Sequence, residues 1–492
     1  MDQMAQIQPN GRASAWYLGL VCLVASLGGF LFGFDTAVIS GTVGMVETLF
    51  GLSKLHVGWF TGSALIGCII GAASAGVLGD RFGRKPVLIL AAFMFFLSAL
   101  GSTIPPTFTF LIVARLIGGV GVGIASVLAP LFISEFAPPR IRGRLVALYQ
   151  LSIVIGILLA YFSNWLLLGF SQSRAGGLFI NEFFSWLMID QVWRSMFGAE
   201  MIPAALFMLL LCVVPESPRW LVKAGKTQKA AAVFSRIVGA AAAKLQIEAI
   251  QEALNKEDGS IRELFRPGLR TALMVGVGLS VFGQLTGVNV VIYYGPSILE
   301  EAGFAIGSAL QYQVLLGLIN LVFTVVALCV IDRLGRRPLL IGGMTVVTLA
   351  LAVAGYLFIS GETAGFLIVG ALGIYMACVA LSICAVIWVL TPEIFPNSIR
   401  ARAASIATLA NWTTNWLSAY LFPAYVAKFG VHTGFLTFAA ICAVATMFFW
   451  RFVPETKGKS LEQIERMWLS GDRFQSSGSS PKACPRSSAV SI

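Results

Sequence analysis

Twelve long apolar blocks set the limits on what this chain can fold into. They run roughly Trp16–Ser40, Val57–Leu78, Pro86–Thr103, Phe108–Ile133, Leu145–Leu168, Ser195–Val214, Thr271–Pro296, Leu310–Ile331, Pro338–Ile359, Ala364–Leu390, Ala401–Phe422 and Phe435–Phe452. Each approaches or exceeds the ~20 residues a helix needs to cross a bilayer. Lipid offers no partner to a free peptide group, so only helices and closed barrels span it. Unbroken apolar runs of this length read as helices. The expected class is an all-α polytopic membrane protein with twelve transmembrane helices. Only 12% of the 492 residues are charged, against about 25% in soluble proteins.

The net charge of +11 does not point to nucleic acid, because the cations cluster in short loops between the blocks. Arg81, Arg84 and Lys85, then Arg140, Arg142 and Arg144, then Arg333, Arg336 and Arg337, then Arg400 and Arg402 occupy alternate loops. The intervening loops hold few cations, chiefly Lys54, Arg174 and Lys428. Lys and Arg in short loops mark the cytoplasmic side, so an even number of spans places both termini in the cytoplasm of a cell membrane. Met1 to Ser14 lacks the order of a cleaved signal, which makes the first block an uncleaved insertion signal. Seven cysteines lie in apolar blocks and Cys484 lies in the tail, so no disulfide framework is expected.

One acid interrupts the first block. Asp35 follows Gly28-Gly29-Phe30-Leu31-Phe32-Gly33-Phe34, well inside the apolar run. A carboxylate there costs roughly 2.5–3.5 kcal/mol on insertion scales and normally faces a cavity or a partner. Arg115 lies near the start of the fourth block. At 1.5 Å per residue both groups fall about 10 Å below the same membrane surface. An opposite charge favours ionised Asp35, while burial favours the protonated form. Two readings remain open: a static ion pair between two helices, or a proton site whose protonation breaks the pair and permits rearrangement.

The chain repeats itself at an offset of about 250 residues, half its length. Gly79-Asp80-Arg81-Phe82-Gly83-Arg84-Lys85-Pro86 after the second block matches Ile331-Asp332-Arg333-Leu334-Gly335-Arg336-Arg337-Pro338 after the eighth. Glu135 with Arg142 matches Glu393 with Arg400, and Pro215-Glu216-Ser217 matches Pro454-Glu455-Thr456. Duplicated six-helix halves are a transporter architecture, with the substrate between them near the midplane. The expected organisation is an N-terminal half over residues 1–215 and a C-terminal half over 271–453. Linker helices over 216–270 join them, and a cytoplasmic tail covers 454–492. Ala230–Val238, Leu245–Leu254 and Leu461–Met467 carry helical amphipathic spacing, and Gln475 to Ile492 has a disordered composition.

The two Asp-Arg-x-Gly-Arg-[Lys/Arg]-Pro loops are joined by Pro215-Glu216-Ser217-Pro218-Arg219-Trp220-Leu221 and by Gln284-Leu285-Thr286-Gly287-Val288-Asn289 with Tyr293-Tyr294. Pro392-Glu393-Ile394-Phe395-Pro396 and Pro454-Glu455-Thr456-Lys457-Gly458 complete the set. In this order and over nearly the whole chain, the motifs resemble a sugar porter of the major facilitator superfamily. The first span and Trp193-Arg194 are most similar to bacterial D-xylose:proton symporters. Human facilitative glucose transporters are similar but have Asn where this chain has Asp35. The resemblance implies the major facilitator fold and proton-coupled monosaccharide symport (D-xylose or a related pentose or hexose such as glucose) by alternating access. A facilitative uniporter, or a carrier of polyols or other small polar solutes, is the alternative.

A neutral sugar offers many hydroxyls and an apolar ring face, which amides and aromatic rings suit. Isolated intramembrane amides also serve as glue between helices. The resemblance assigns Gln150, Gln284, Asn289, Trp388 and Asn411 to sugar contacts, with Phe32, Tyr293, Trp412 and Asn415 as weaker candidates. Two departures stand out. Gly283 replaces the first of a glutamine pair, and Ser382 to Trp388 lacks the usual Gly-Pro, so the tenth helix is expected to be stiffer. Asp80, Arg81, Arg84, Glu135, Arg142, Glu216 and Arg219 are expected to form one charge network, and Asp332, Arg333, Arg336, Glu393, Arg400 and Glu455 another. Together they would clasp the cytoplasmic helix ends and favour the outward-open state. Gly118-Gly119-Val120-Gly121-Val122-Gly123 reads as close helix packing rather than a phosphate loop. No nucleophile, base or metal set suggests an enzyme, and no cofactor is expected beyond the proton. The expected partners are a sugar, protons and lipid, not nucleic acid, with a monomer as the working unit.

Overall fold

The computed structural model describes residues 12–138, 140–173, 181–254, 269–360, 365–395, 400–459, 463–464 and 467–468. Eleven of its helices are long and apolar enough to cross a membrane. The first six spans are Arg12–Val38, Lys54–Phe82, Arg84–Thr103, Phe108–Phe136, Arg142–Ser173, and the pair Val192–Gly198 and Met201–Val213. The next four are Leu269–Gln284 with Val288–Glu301, Ile306–Leu334, Arg336–Ser360, and Gly365–Leu381 with Ile383–Ile394. Arg400–Phe429 and Val431–Phe452 follow. Arg400–Phe429 is long enough to cross, but Asn411, Thr413, Thr414 and Asn415 dilute its apolar character. It completes the twelve-helix count.

Three spans are broken among the described residues, and the breaks in the seventh and the tenth have a local cause. The seventh stops at Gln284 and restarts at Val288 because Gly287 adopts a left-handed conformation (φ +83°) that favours glycine. The sixth is interrupted between Gly198 and Met201, where Glu200 sits. The tenth breaks at Ser382, whose hydroxyl and backbone N–H both donate to the Cys378 carbonyl, at 2.6 Å and 3.0 Å. The expectation of a stiffer tenth helix is thus corrected: a serine bonding back to its own turn breaks it where proline is missing. Between the halves lie Pro218–Lys223, Thr227–Val238 and Ala240–Leu254, longer than the sequence pattern suggested. A short helix Val43–Phe50 and a segment Glu182–Asp190 were not anticipated. The expected helix Leu461–Met467 lies largely outside the described residues, and the tail from Gln475 lies wholly outside them.

Packing repeats between the halves. The first span packs on the fifth as the seventh does on the eleventh, and the third on the sixth as the ninth does on the twelfth. The second packs on the fourth as the eighth does on the tenth. The halves meet where the second span touches the eleventh and the fifth touches the eighth. Those two contacts exchange under a six-helix shift, which is what a two-fold pseudo-symmetric pair of halves requires. The glycine run of the fourth span does pack closely: a Cβ on Gly119 would overlap the Ala64 carbonyl of the second span.

One end of the molecule carries the Arg-rich loops and is called the basic end; the other is the far end. The far end is closed. Tyr161 donates to the Ile292 carbonyl at 3.2 Å across the halves, and a Cβ on Gly58 would overlap the Tyr420 carbonyl. At the basic end a vestibule of about 460 Å³ opens between the halves, lined by Pro130, Val146, Leu328, Val389 and Glu393 among others. Gly58→Leu is expected to prop the far end apart, at a cost of about 1–3 kcal/mol of overpacking. Thermal unfolding in detergent checks this; a wild-type melting temperature would mean that Gly58 does not hold the far end closed.

Candidate functional site

Between the halves, inward of the far-end closure, lies a cavity of about 120 Å³. That is well below the roughly 300–1,000 Å³ of drug-sized sites and suits a small solute. Phe32, Gln150, Gly283, Gln284, Asn289, Tyr293, Asn411, Trp412 and Asn415 all line it. The Trp388 side chain lies outside the described residues. The break in the seventh span explains the amide geometry. Gln284 ends one helical piece and Asn289 lies at the start of the next, so the two amides face each other. Asn289 Nδ2 donates to Gln284 Oε1 at 2.5 Å, and Gln284 Nε2 donates to Asn411 Oδ1 at 2.8 Å. Asn415 Nδ2 donates to the Tyr293 hydroxyl at 3.2 Å, leaving Asn415 Oδ1 buried without a partner. Phe32 and Trp412 meet across the halves with ring centroids 5.5 Å apart.

The amides are unevenly distributed. The C-terminal half contributes Gln284, Asn289, Asn411 and Asn415, while the N-terminal half contributes Gln150 beside Ile153, Val154 and Ile157. Where Gly283 stands, a side chain would meet Ile387 Cδ1 at 3.3 Å and Ile383 Cγ1 at 3.5 Å. The missing amide is therefore replaced by an apolar corner. Asn320, Thr324 and Cys384 also line the cavity and were not anticipated, although polar residues four apart in the eighth apolar block were a usable signal.

Beside this cavity, Asp35 and Arg115 are packed together, 0% and 2% exposed. Arg115 Nη1 donates to Asp35 Oδ1 at 2.5 Å, and Nη2 donates to the Asp35 carbonyl at 3.2 Å. The guanidinium also lies 5.4 Å from the centre of the Phe197 ring. A third group completes the cluster. Glu200, 1% exposed, lies carboxyl to carboxyl against Asp35 and within electrostatic reach of Arg115. The sequence reading passed over Glu200, although the rule that singles out Asp35 applies equally to an acid inside the sixth block. None of the three lines the cavity. Tyr293 does, and it is also within electrostatic reach of Asp35 and Arg115.

The profile of the sugar (and other) transporter family matches residues 21–468. The chain belongs to that family. Among its relatives, the arabinose-proton symporter of Bacillus subtilis (strain 168) is 39% identical, over 94% of this chain and 98% of the relative. The D-xylose-proton symporter of Escherichia coli (strain K12) is 39% identical, over 93% of this chain and 97% of the relative. Among solved structures, the inward-open conformation of the xylose transporter XylE from E. coli superposes with a TM-score of 0.78. It is 37% identical and is matched over 92% of this chain and all of that one.

The transporter's basic end carries two matched charge sets. In the first, Arg84 pairs with Glu135 at 3.1 Å and Asp80 at 2.9 Å. Glu216 accepts from the backbone N–H of Arg84 at 3.1 Å, and Ser217 donates to Glu135. In the second, Arg336 pairs with Glu393 and Asp332, both at 3.0 Å, Glu455 accepts from the backbone of Arg336 and Arg337, and Thr456 donates to Glu393 at 2.7 Å. Ser217, Thr456 and Lys223, which pairs with Asp80 at 3.0 Å, were not anticipated. Arg142 donates to the Ala137 carbonyl at 3.4 Å, Arg219 lies near Glu135, and Arg81 stacks on Phe82. The Arg333 carbonyl accepts from Lys457, and the Arg400 side chain lies outside the described residues. None of the pairs named here joins the first half to the second, because the linker residues pair with the first and the tail residues with the second. These sets therefore brace the two halves separately around the open vestibule. Arg84→Ala strands a carboxylate whose side chain is 2% exposed, so a loss of about 3–5 kcal/mol is expected. Lys223→Ala, at a half-exposed pair, should cost at most about 1 kcal/mol. Thermal unfolding in detergent compares the two; equal shifts would refute the ranking.

Proposed function

We propose that this protein is a proton-coupled monosaccharide symporter of the cell membrane. Its basic end and both termini face the cytoplasm, and residues 1–215 and 271–453 rock as two bodies about the cavity between them. It takes D-xylose or a related pentose or hexose, and it acts as a monomer that transports rather than catalyses. One observation carries the reading: an amide- and aromatic-lined cavity between the halves stands beside a buried Asp–Arg–Glu cluster that is sealed from it.

The chemistry follows from those groups. Gln284, Asn289 and Asn411 offer both donors and acceptors to sugar hydroxyls, and Phe32 and Trp412 cover the ring. The Gly283 corner favours a sugar that presents carbon and hydrogen there rather than a hydroxyl. One guanidinium neutralises one carboxylate, and a second buried carboxylate left unpaired would cost several kcal/mol. The Asp35, Glu200 and Arg115 set is therefore neutral with one bound proton, and the two acids compete for it. Moving the proton onto Asp35 weakens its bond to Arg115 and frees the first and fourth spans to separate. Tyr293, which touches the cavity and senses the cluster, conveys sugar occupancy to that step.

Purified protein in liposomes tests this. D-xylose and D-glucose uptake are followed with and without an inward proton gradient. Gradient-driven accumulation of either sugar is expected. Uptake that ignores the gradient would make the protein a uniporter with a structural Asp35, and no flux of either sugar would point to a polyol or another solute.

A further inference from the structure

The proton cluster is not part of the sugar cavity's wall. Asp35, Arg115 and Glu200 are all buried, and none contributes to the cavity wall. A proton therefore needs a way in that the sugar does not use. The third spanning helix (Arg84–Thr103) supplies the groups for one. Ser98, Ser102 and Thr103 are 1%, 0% and 4% exposed, an unusual set of hydroxyls in an otherwise apolar span. Ser98 and Ser102 are four residues apart and so share a helix face.

Two close approaches fix where this face points. A methyl group on Gly118 of the fourth span would overlap Ser98 Oγ and come within 3.5 Å of Asp35 Oδ1, so Ser98 adjoins the acid. A methyl group on Gly198 of the sixth span would come within 3.1 Å of Thr103 Oγ1, so Thr103 adjoins the turn that carries Glu200. Ser102 Oγ has no hydrogen-bond partner and is fully buried. A buried unpartnered hydroxyl is costly, and it persists where a mobile ligand satisfies it. Beyond Thr103 the chain turns at Ile104, which is half exposed, and Arg194 anchors this turn by donating to the Thr103 and Pro105 carbonyls at 3.2 Å and 3.4 Å.

We infer that protons travel between the far face and the Asp35–Glu200 pair along the hydroxyls of Ser98, Ser102 and Thr103, on a path separate from the sugar passage. This rests on the proton-coupled reading above. Ser98 and Ser102, one turn apart on the same face, stand about 6 Å apart, a gap that one water bridges, and Thr103 follows Ser102 directly in the chain. Each hydroxyl accepts a proton on a lone pair and releases its own to the next acceptor, so no rung changes its charge. The proton taken from hydronium at the far face ends on a carboxylate of Asp35 or Glu200. Thr103 Oγ1 donates to the Ala99 carbonyl at 2.7 Å and keeps its lone pairs free to accept a proton, and it must rotate off that carbonyl to pass its own on. Cys68 is buried near Asp35 and Arg115, but a thiol is a weak relay.

Ser102→Ala is the deciding variant, because it removes a rung one turn away from the acids themselves. In proteoliposomes, sugar-dependent proton uptake driven by an imposed gradient is expected to slow at least tenfold at neutral external pH. D-xylose counterflow without a gradient should stay within twofold of wild type. Raising the external proton concentration tenfold should restore most of the lost rate, which a merely structural role for Ser102 would not do. Ser98→Ala with Ser102→Ala should deepen the defect. Wild-type proton uptake in Ser102→Ala, or a parallel loss of counterflow, overturns the path. Failure of the wild type to show any gradient-driven uptake overturns the symport reading, and the path with it, before a variant is examined.

Discussion

Asp35→Asn is expected to abolish concentrative uptake while sugar exchange continues. A driving force of 100 mV is worth about 2.3 kcal/mol per charge moved. At one proton per sugar that sustains about 50-fold accumulation. The variant should bring the ratio to about one. The fold should tolerate the change, because an asparagine oxygen can still accept from Arg115 Nη1, which donates to Asp35 Oδ1 at 2.5 Å. What is lost is the carboxyl proposed to carry the proton. Arg115 would then be balanced by Glu200 alone, so the cluster stays neutral without exchanging a proton. Measuring accumulation and counterflow on one preparation separates the outcomes. Accumulation that survives would assign the proton to Glu200 alone. Loss of both activities together with a lowered melting temperature would return Asp35 to a purely structural pair.

The features of this transporter that were legible in its sequence are those written as long periodic patterns. Twelve apolar blocks announce the spans, and the duplicated loops around Asp80 and Asp332 announce two halves, because hydrophobic length and repetition survive without knowledge of contacts. The helix breaks were less legible. Gly287 signals one through its need for a left-handed conformation, but Ser382 breaks the tenth span by a hydroxyl turning back on Cys378, which serine in an apolar run rarely announces. Glu200 was visible as a residue and invisible as a partner. Only the packing of the sixth span against the first and third brings it to Asp35. Ser217 and Thr456 were hidden for a similar reason: each satisfies an acid of another helix, the buried Glu135 and the half-buried Glu393, through a contact set by tertiary structure.

Gln284→Ala is expected to weaken sugar binding more than any other single amide replacement in the cavity. Gln284 is the centre of a relay, accepting from Asn289 and donating to Asn411. Its removal costs its own contacts to the sugar and also leaves the buried Asn411 and the half-buried Asn289 unpaired. A hydrogen bond contributes about 0.5–1.5 kcal/mol net, and an orphaned buried partner costs about 1–3 kcal/mol. The total corresponds to a rise in Kd of about 10- to 100-fold or more, since each 1.4 kcal/mol is tenfold. Asn289→Ala and Asn411→Ala each leave one end of the relay intact, so each should cost less. Gln150→Ala, on the opposite wall, touches no member of the relay that the structure shows and should add its effect independently. Titration calorimetry with D-xylose on the single variants and on Gln284→Ala with Asn411→Ala distinguishes a relay from separate contacts. In a relay, the double variant is little worse than Gln284→Ala alone. Fully additive losses would mean that the amides bind the sugar one by one, and that the chain of bonds among them is incidental to recognition.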